Sequence, residues 1–276
     1  MAQELFALDP ALPVLLRPDG AVQVGWSPRR AVLIRPPRGV TAAGLAALLR
    51  AMHSPASMDD LRRRSEGLSD EELDDLMRRL VTAGVATRGV RQRSTRSASI
   101  RVHGRGPLSE LLAEGLRCSG ARVKQSNQPH AAVTSADADL VVLSDNLVAD
   151  PRLLRELRDQ GVAHLAVRVR DGTGLVGPLV IPGVTSCLDC ADLHRRDRDA
   201  AWPAVAAQLR DTVGVADRAT LLATAALALS QVNRVIGAVR GVDSEPPASL
   251  SATLEFDVHA GSIVARRWPR HPLCSC

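Results

Sequence analysis

Aromatic residues are nearly missing from this chain of 276 residues: it has no tyrosine, two phenylalanines and three tryptophans. A core large enough for such a length must therefore be aliphatic, built from Val, Leu and Ala, and the length has room for a small and a larger domain. Lysine is almost absent too, with Lys124 alone among 35 basic residues. The arginines stand beside acids, as in Arg62-Arg63-Arg64 before Glu66, so the net charge of +5 reads as a solvated surface. A basic groove for nucleic acid is the other reading, and nucleic acid is not the expected partner. No uninterrupted apolar run reaches the roughly 18 residues of a membrane span. Residues 1–10 lack a basic stretch followed by an apolar one, so no secretory signal is read there. The expected location is the cytoplasm, and no membrane partner is expected.

Residues 1–88 read as one small domain. Short apolar or alternating runs at 14–17, 22–26 and 31–35 are separated by Pro18-Asp19-Gly20 and Ser27-Pro28-Arg29, the pattern of an antiparallel meander. Helices follow, with Thr41 capping 42–52, Ser57 capping 58–64, and Ser69 with Glu72 forming a capping box for 70–83. Residues 89–98, rich in Arg and Ser and without apolar period, read as a linker. Residues 99–276 then open as strand 99–103, the turn Gly104-Arg105-Gly106, helix 110–118 and strand 121–124, a βαβ start of dinucleotide-binding type. Strand 139–143 ends at Ser144-Asp145-Asn146. Helix 151–160, strand 163–169 and a hairpin return over 171–180 come next, then a very apolar helix, 219–239, capped by Asp217. A hairpin of 253–258 and 262–268 closes the pattern. The fold class is thus α/β, a Rossmann-like domain preceded by a small α+β domain.

Two cysteine pairs stand out: Cys187 and Cys190 in C-x-x-C, and Cys274 and Cys276 in C-x-C. Four thiolates complete a closed tetrahedral shell, which points to a structural Zn²⁺ with no open position for catalysis. The alternatives are a redox pair or unpaired thiols. Cys118, in an apolar helical pattern, reads as a small core residue. His194 and His271 flank the pairs and read either as partners of a thiolate or, preferably, as surface residues.

The glycine turn, Ser144-Asp145-Asn146 and the paired cysteines resemble the E1-like superfamily, which adenylates carboxyl termini. Gly177-Pro178-Leu179-Val180, the stretch from Cys187 to His194, Trp202-Pro203 and His271-Pro272-Leu273-Cys274-Ser275-Cys276 resemble one branch in particular. That branch comprises the E1-like components of thiazole/oxazole-modified microcin (TOMM) cyclodehydratases. In the first 88 residues, three strands followed by three helices resemble a winged-helix-like, PqqD-like element, which in that family binds a leader peptide by strand addition. Packing alone or DNA binding are the other readings of that element. E1-like domains commonly pair, so the resemblance also allows a homodimer through helix 219–239, with a place in the core as the equal alternative for that helix.

The departures from the family bear on activity. Gly104 and Gly106 remain, but Ser109 replaces the third glycine, Pro107 removes a donor and Arg105 adds bulk. Residues 124–138 are too few for the ribose acid and triphosphate Arg of the family, Lys124 falls on a strand, and no cysteine is left for a thioester. Gly104, Gly106 and Asp145 are therefore read as a vestigial nucleotide site, with ATP not expected as a cofactor. The resemblance implies a non-catalytic scaffold that holds a precursor's leader peptide and docks an ATP-using YcaO-type partner. An E1-like adenylyltransferase and a winged-helix DNA-binding regulator are the alternatives.

Overall fold

The computed structural model describes residues 4–90, 96–127, 137–241 and 245–276. The chain divides into two compact units, Met1–Arg93 and Ser94–Cys276.

In the first unit, strand β1 (Glu4–Leu8) precedes the meander β2 (Val14–Leu16), β3 (Val22–Val24) and β4 (Val32–Ile34). The meander pairs antiparallel in the order β2-β3-β4, with Gly20 at φ 78° in the first turn, a conformation open to glycine at no steric cost. Helix α1 (Ala42–Ala51) begins where the Thr41 hydroxyl accepts the Gly44 N–H. Strand β5 (Ala56–Ser57) leads into α2 (Met58–Arg64), α3 (Asp70–Thr82) and β6 (Ala86–Val90). Ser57 with Asp60 and Ser69 with Glu72 form reciprocal capping boxes that satisfy the first orphan N–H groups of α2 and α3. Leu73, Leu76, Met77 and Leu80 recur on one face of α3 and are buried with Leu45, Leu49, Met52 and Leu61 in one aliphatic core. The second sheet, β5-β1-β6, is not signalled in the sequence, because β5 has two residues and β6 is polar in part. Gly89 and Val90 pair with Leu5 and Glu4, so β6 runs two residues into the segment read as a linker, and residues 91–95 of that segment lie outside the described residues.

In the second unit the elements are β7 (Ser99–His103), α4 (Pro107–Cys118), β8 (Arg122–Ser126), β9 (Leu140–Ser144), α5 (Pro151–Asp159), β10 (His164–Arg170) and β11 (Thr173–Val180). They are followed by α6 (Leu188–Arg198), α7 (Trp202–Leu209), α8 (Arg218–Val239), β12 (Ala252–Asp257) and β13 (Ser262–Arg267). One mixed sheet in the order β13-β12-β11-β10-β9-β7-β8 carries them, with β8, β7, β9 and β10 parallel and the rest antiparallel. Both sheet faces are apolar, as a parallel sheet covered by helices requires. Leu140 and Val142 of β9 pack with α4 and α8, while Val141 and Leu143 pack with α5 and α6. Each such fully buried side chain contributes about 1.5–3 kcal/mol of transfer free energy. The sequence pattern starts α4 at 110, but Pro107 is an accepted first helical residue and brings the start forward. α6 and α7 have too weak an apolar period to be anticipated.

Cys118 is exposed, against its reading as a core residue. The buried face of α4 is Leu108, Ser109, Leu112, Ala113 and Leu116, and a position two beyond Leu116 falls on the far side of a helix with 3.6 residues per turn. α8 also corrects an expectation: at 22 residues it is long and apolar enough, by length and composition alone, to cross a membrane. Its Leu221, Ala225, Ala228, Val232 and Ile236 nevertheless form the core against the sheet.

α8 approaches β11 at Gly174, where a Cβ would stand 2.1 Å from Thr224 Oγ1 and 3.1 Å from its Cβ. Thr224 is fully buried, with its hydroxyl bonded 2.6 Å to Thr220 O. Gly174→Ala is expected to destabilise the protein by about 1–3 kcal/mol, as overpacking does. Thermal melts should show part of that loss recovered in Gly174→Ala/Thr224→Ala, a non-additivity expected of a direct contact.

Candidate functional site

The four paired cysteines converge. Cys187 is the N-cap of α6 and Cys190 lies in its first turn, both buried, while the C-terminal segment after β13 brings Cys274 and Cys276 onto them. The Sγ atoms of Cys187 and Cys190 are 3.8 Å apart, those of Cys187 and Cys274 3.5 Å, and those of Cys190 and Cys276 3.4 Å. A tetrahedral Zn²⁺ with bonds of about 2.3 Å sets sulfurs about 3.8 Å apart, so the donor set and spacing fit such an ion. Burial pushes the Cys187 thiol up, against the Cys190 backbone N–H, and burial also raises Cys274. At Cys190 burial is outweighed by the backbone N–H groups of His271 and Cys187 and by the neighbouring thiols, which bring it down to about 7. The His271 N–H stands 3.3 Å from Cys190 Sγ, a donor placed for a thiolate.

His271 is buried, not a surface residue. Its Nε2 lies 2.7 Å from Asp197 Oδ2, its Nδ1 accepts the Leu273 N–H at 3.1 Å, and its ring meets that of half-buried His194 edge to face at 4.8 Å. The ring thus orients the C-terminal segment, while its backbone serves the sulfur. Nothing in the local pattern of His271-Pro272 signals this, because Asp197 lies on another element.

Gly104, Gly106 and Asp145 also come together, at the carboxyl ends of β7 and β9 where the strand order reverses. Such crevices are the usual ligand sites of open α/β sheets, and α4 begins here with its N–H groups unpaired within the helix. Asp145, 1% exposed, turns its carboxylate into that helix end. Oδ1 accepts the Leu108 N–H at 2.9 Å, and Oδ2 accepts the Ser109 N–H at 3.1 Å together with the Ser109 hydroxyl. Its φ of 71° is one Asp tolerates better than most residues. Gly106 is required by this approach, since a Cβ there would lie 2.6 Å from Asp145 Oδ1, and a Cβ on Gly104 would lie 2.4 Å from Ser144 O. Residues 212–214 cover the same edge: Leu147 N–H donates to Thr212 O and Gly214 N–H to Asp145 O. Arg105 is exposed. Residues 128–136, within the segment read as too short for the ribose acid and triphosphate Arg, lie outside the described residues.

In the first unit, β4 is an edge strand of its sheet among the described residues, whereas β3 is paired on both sides. The bonds Gly25 N–H to Pro13 O and Arg17 N–H to Ala21 O turn the odd residues of β3 toward β2 and the even ones toward β4. Leu33, opposite Gln23, therefore presents its own N–H and C=O to the open edge. Between this edge and α3 lies a cavity of about 230 Å³ floored by Ile34, Leu45, Leu68 and Leu76 and rimmed by Glu71 and Asp75.

The purified protein is expected to carry one tightly held divalent ion per chain, released with unfolding of the second unit. Cys187→Ser and Cys274→Ser should each lose the ion and melt at lower temperature, since such sites contribute on the order of 10 kcal/mol to folding. Elemental analysis in reducing buffer and thermal melts are the measurements.

No protein-family model matches the chain, and no curated protein matches it. Solved structures do. A heterocyclase in complex with substrate and cofactor matches with a TM-score of 0.66 and 15% identity, over 98% of this chain and 39% of that one. The heterocyclase TruD matches with a TM-score of 0.66 and 16% identity, over 99% of this chain and 42% of that one. E. coli MccB with ATP matches with a TM-score of 0.60 and 12% identity, over 98% of this chain and 99% of that one. The chain thus spans less than half of each heterocyclase chain and nearly all of MccB. What it shares with these heterocyclases and with MccB is the fold.

Proposed function

We propose that the chain is a peptide-binding, non-catalytic scaffold for modification of a ribosomally made precursor. Residues 1–88 take the precursor's leader as an added strand on β4. The E1-like unit, stapled by Zn²⁺ on Cys187, Cys190, Cys274 and Cys276, docks an ATP-using YcaO-type partner that performs the chemistry. The observation that carries this reading is the open β4 edge beside the apolar-floored cavity under α3. Unpaired N–H and C=O groups supply affinity for an extended peptide, and the cavity takes alternate side chains. Support comes also from relatives in fold, a heterocyclase in complex with its substrate and the microcin C7 biosynthetic enzyme MccB in complex with N-formylated MccA.

The likeness to MccB with ATP favours a second reading, an adenylyltransferase using Gly104, Gly106 and Asp145. The internal capping of α4 counts against it. A helix N-terminus attracts phosphate through free N–H groups and its positive dipole end, and here the Asp145 carboxylate already satisfies both.

Leu33→Pro is expected to weaken binding of the cognate leader at least tenfold with little change in melting, since it removes only an outward-facing donor on an edge strand. Leu33→Ala should fall between. Fluorescence anisotropy with labelled leaders encoded beside the gene, against scrambled controls, reads this; equal binding of leader and scramble refutes strand addition.

Calorimetry should show no saturable ATP binding and no ATP–pyrophosphate exchange. Asp145→Ala should cost about 2–4 kcal/mol of stability by orphaning three buried donors. Robust exchange lost in a still-folded Asp145→Ala protein establishes the adenylyltransferase instead.

A further inference from the structure

On the sheet face covered by α5 and α6, the carboxyl end of β10 opens into a cavity of about 350 Å³ that neither the cysteine cluster nor the α4 helix end uses. Arg168 lies in its wall. Within the run Leu165-Ala166-Val167-Arg168-Val169 it is a single charge in an otherwise apolar strand. Val167 and Val169 face α4 and α8, which leaves Arg168 on the cavity side with Ala166. It is 8% exposed, its guanidinium has no hydrogen bond or ion pair among the described residues, and Asp192 is the acid that acts on it through space. Burial, and after it the neighbouring Arg195, lowers its pKa to about 10, so it stays charged at neutral pH.

The surrounding groups are committed elsewhere. Asp192 accepts from Arg195 Nη1 at 2.7 Å and from Trp202 Nε1 at 3.2 Å. Arg195 in turn stands 4.8 Å over the Trp268 ring and 5.2 Å over Trp202, which holds it in place. Arg170 and Arg266 share Glu255, at 3.7 and 3.0 Å. With Arg198 at the exposed rim, five arginines face three carboxylates around the cavity. A buried guanidinium without a partner is costly, and a fold keeps one where a ligand's charge meets it.

We infer that this cavity is a binding site for an oxyanion, a carboxylate or a phosphate group, received by the Arg168 guanidinium with Arg195 beside it. The planar fork of Arg168 suits two parallel bonds to either group. Leu154, Leu188 and Leu209 line the wall that would contact the carbon skeleton carrying it. The inference is independent of leader binding, since every residue it uses belongs to the second unit.

The test uses the full chain with Trp26→Phe, which removes the one tryptophan outside the cavity and 81% exposed, so that emission reports Trp202 and Trp268. Inorganic phosphate and acetate are titrated separately at constant ionic strength set with chloride. A saturable emission change and a raised Tm with either anion are expected. A response to phosphate but not acetate identifies a phosphoryl ligand, and the reverse a carboxylate. Arg168→Met should weaken the response at least tenfold while leaving Tm equal or higher, because it removes an unpaired buried charge; Arg168→Lys should fall between. No saturable response to either anion, or an undiminished one in Arg168→Met, overturns the inference. Should Arg168→Met fail to fold, Arg198→Gln at the rim takes its place, with about threefold weaker binding expected and unchanged affinity overturning the site.

Discussion

The Asp145 carboxylate sits inside the carboxyl edge of the parallel strands and accepts the first free N–H groups of α4, and much of the second unit is arranged around that contact. It joins the end of β9 to the start of α4, and through Gly106 it fixes how closely the turn after β7 passes. The backbone carbonyl of the same residue holds Gly214, so that residues 212–214 lie over the strand ends. A helix start that would attract an external anion is neutralised by a charge from the chain itself.

The cysteine cluster does corresponding work on the opposite face. Cys187 and Cys190 belong to the apolar core formed by α5, α6 and the sheet, and Cys274 and Cys276 pack against it. α6 starts at this cluster and carries Asp192, Arg195 and Arg198 along its next turns. The ion that would hold the four sulfurs therefore also sets the wall of the arginine-lined cavity. His271 couples the two, with its backbone on Cys190 and its ring on Asp197 of α6.

Much of the fold is legible along the chain. The capping residues Thr41, Ser57, Ser69 and Asp217 mark helix starts that the structure keeps, because a cap acts over three residues and needs no distant partner. The apolar strands of the sheet and the meander are readable for the same reason, since a period of two or a continuous apolar run is local. β1, β5 and β6 escape because such short, partly polar strands exist only through each other. Cys118 and His271 are misplaced by the sequence, as helical phase and long-range contact decided their burial.

By itself the sequence determined the two cysteine pairs, the order of most elements and the glycine turn, all properties of residue type at close spacing. Only the tertiary structure decided that Asp145 would spend its oxygens on α4, that β4 and not β3 would be an open edge, and that the Arg168 guanidinium would be buried without a bonded partner among the described residues. Each of those outcomes depends on which groups reach a side chain from elements far away in the chain. That is set when the sheet assembles and its faces are covered, not by any local preference.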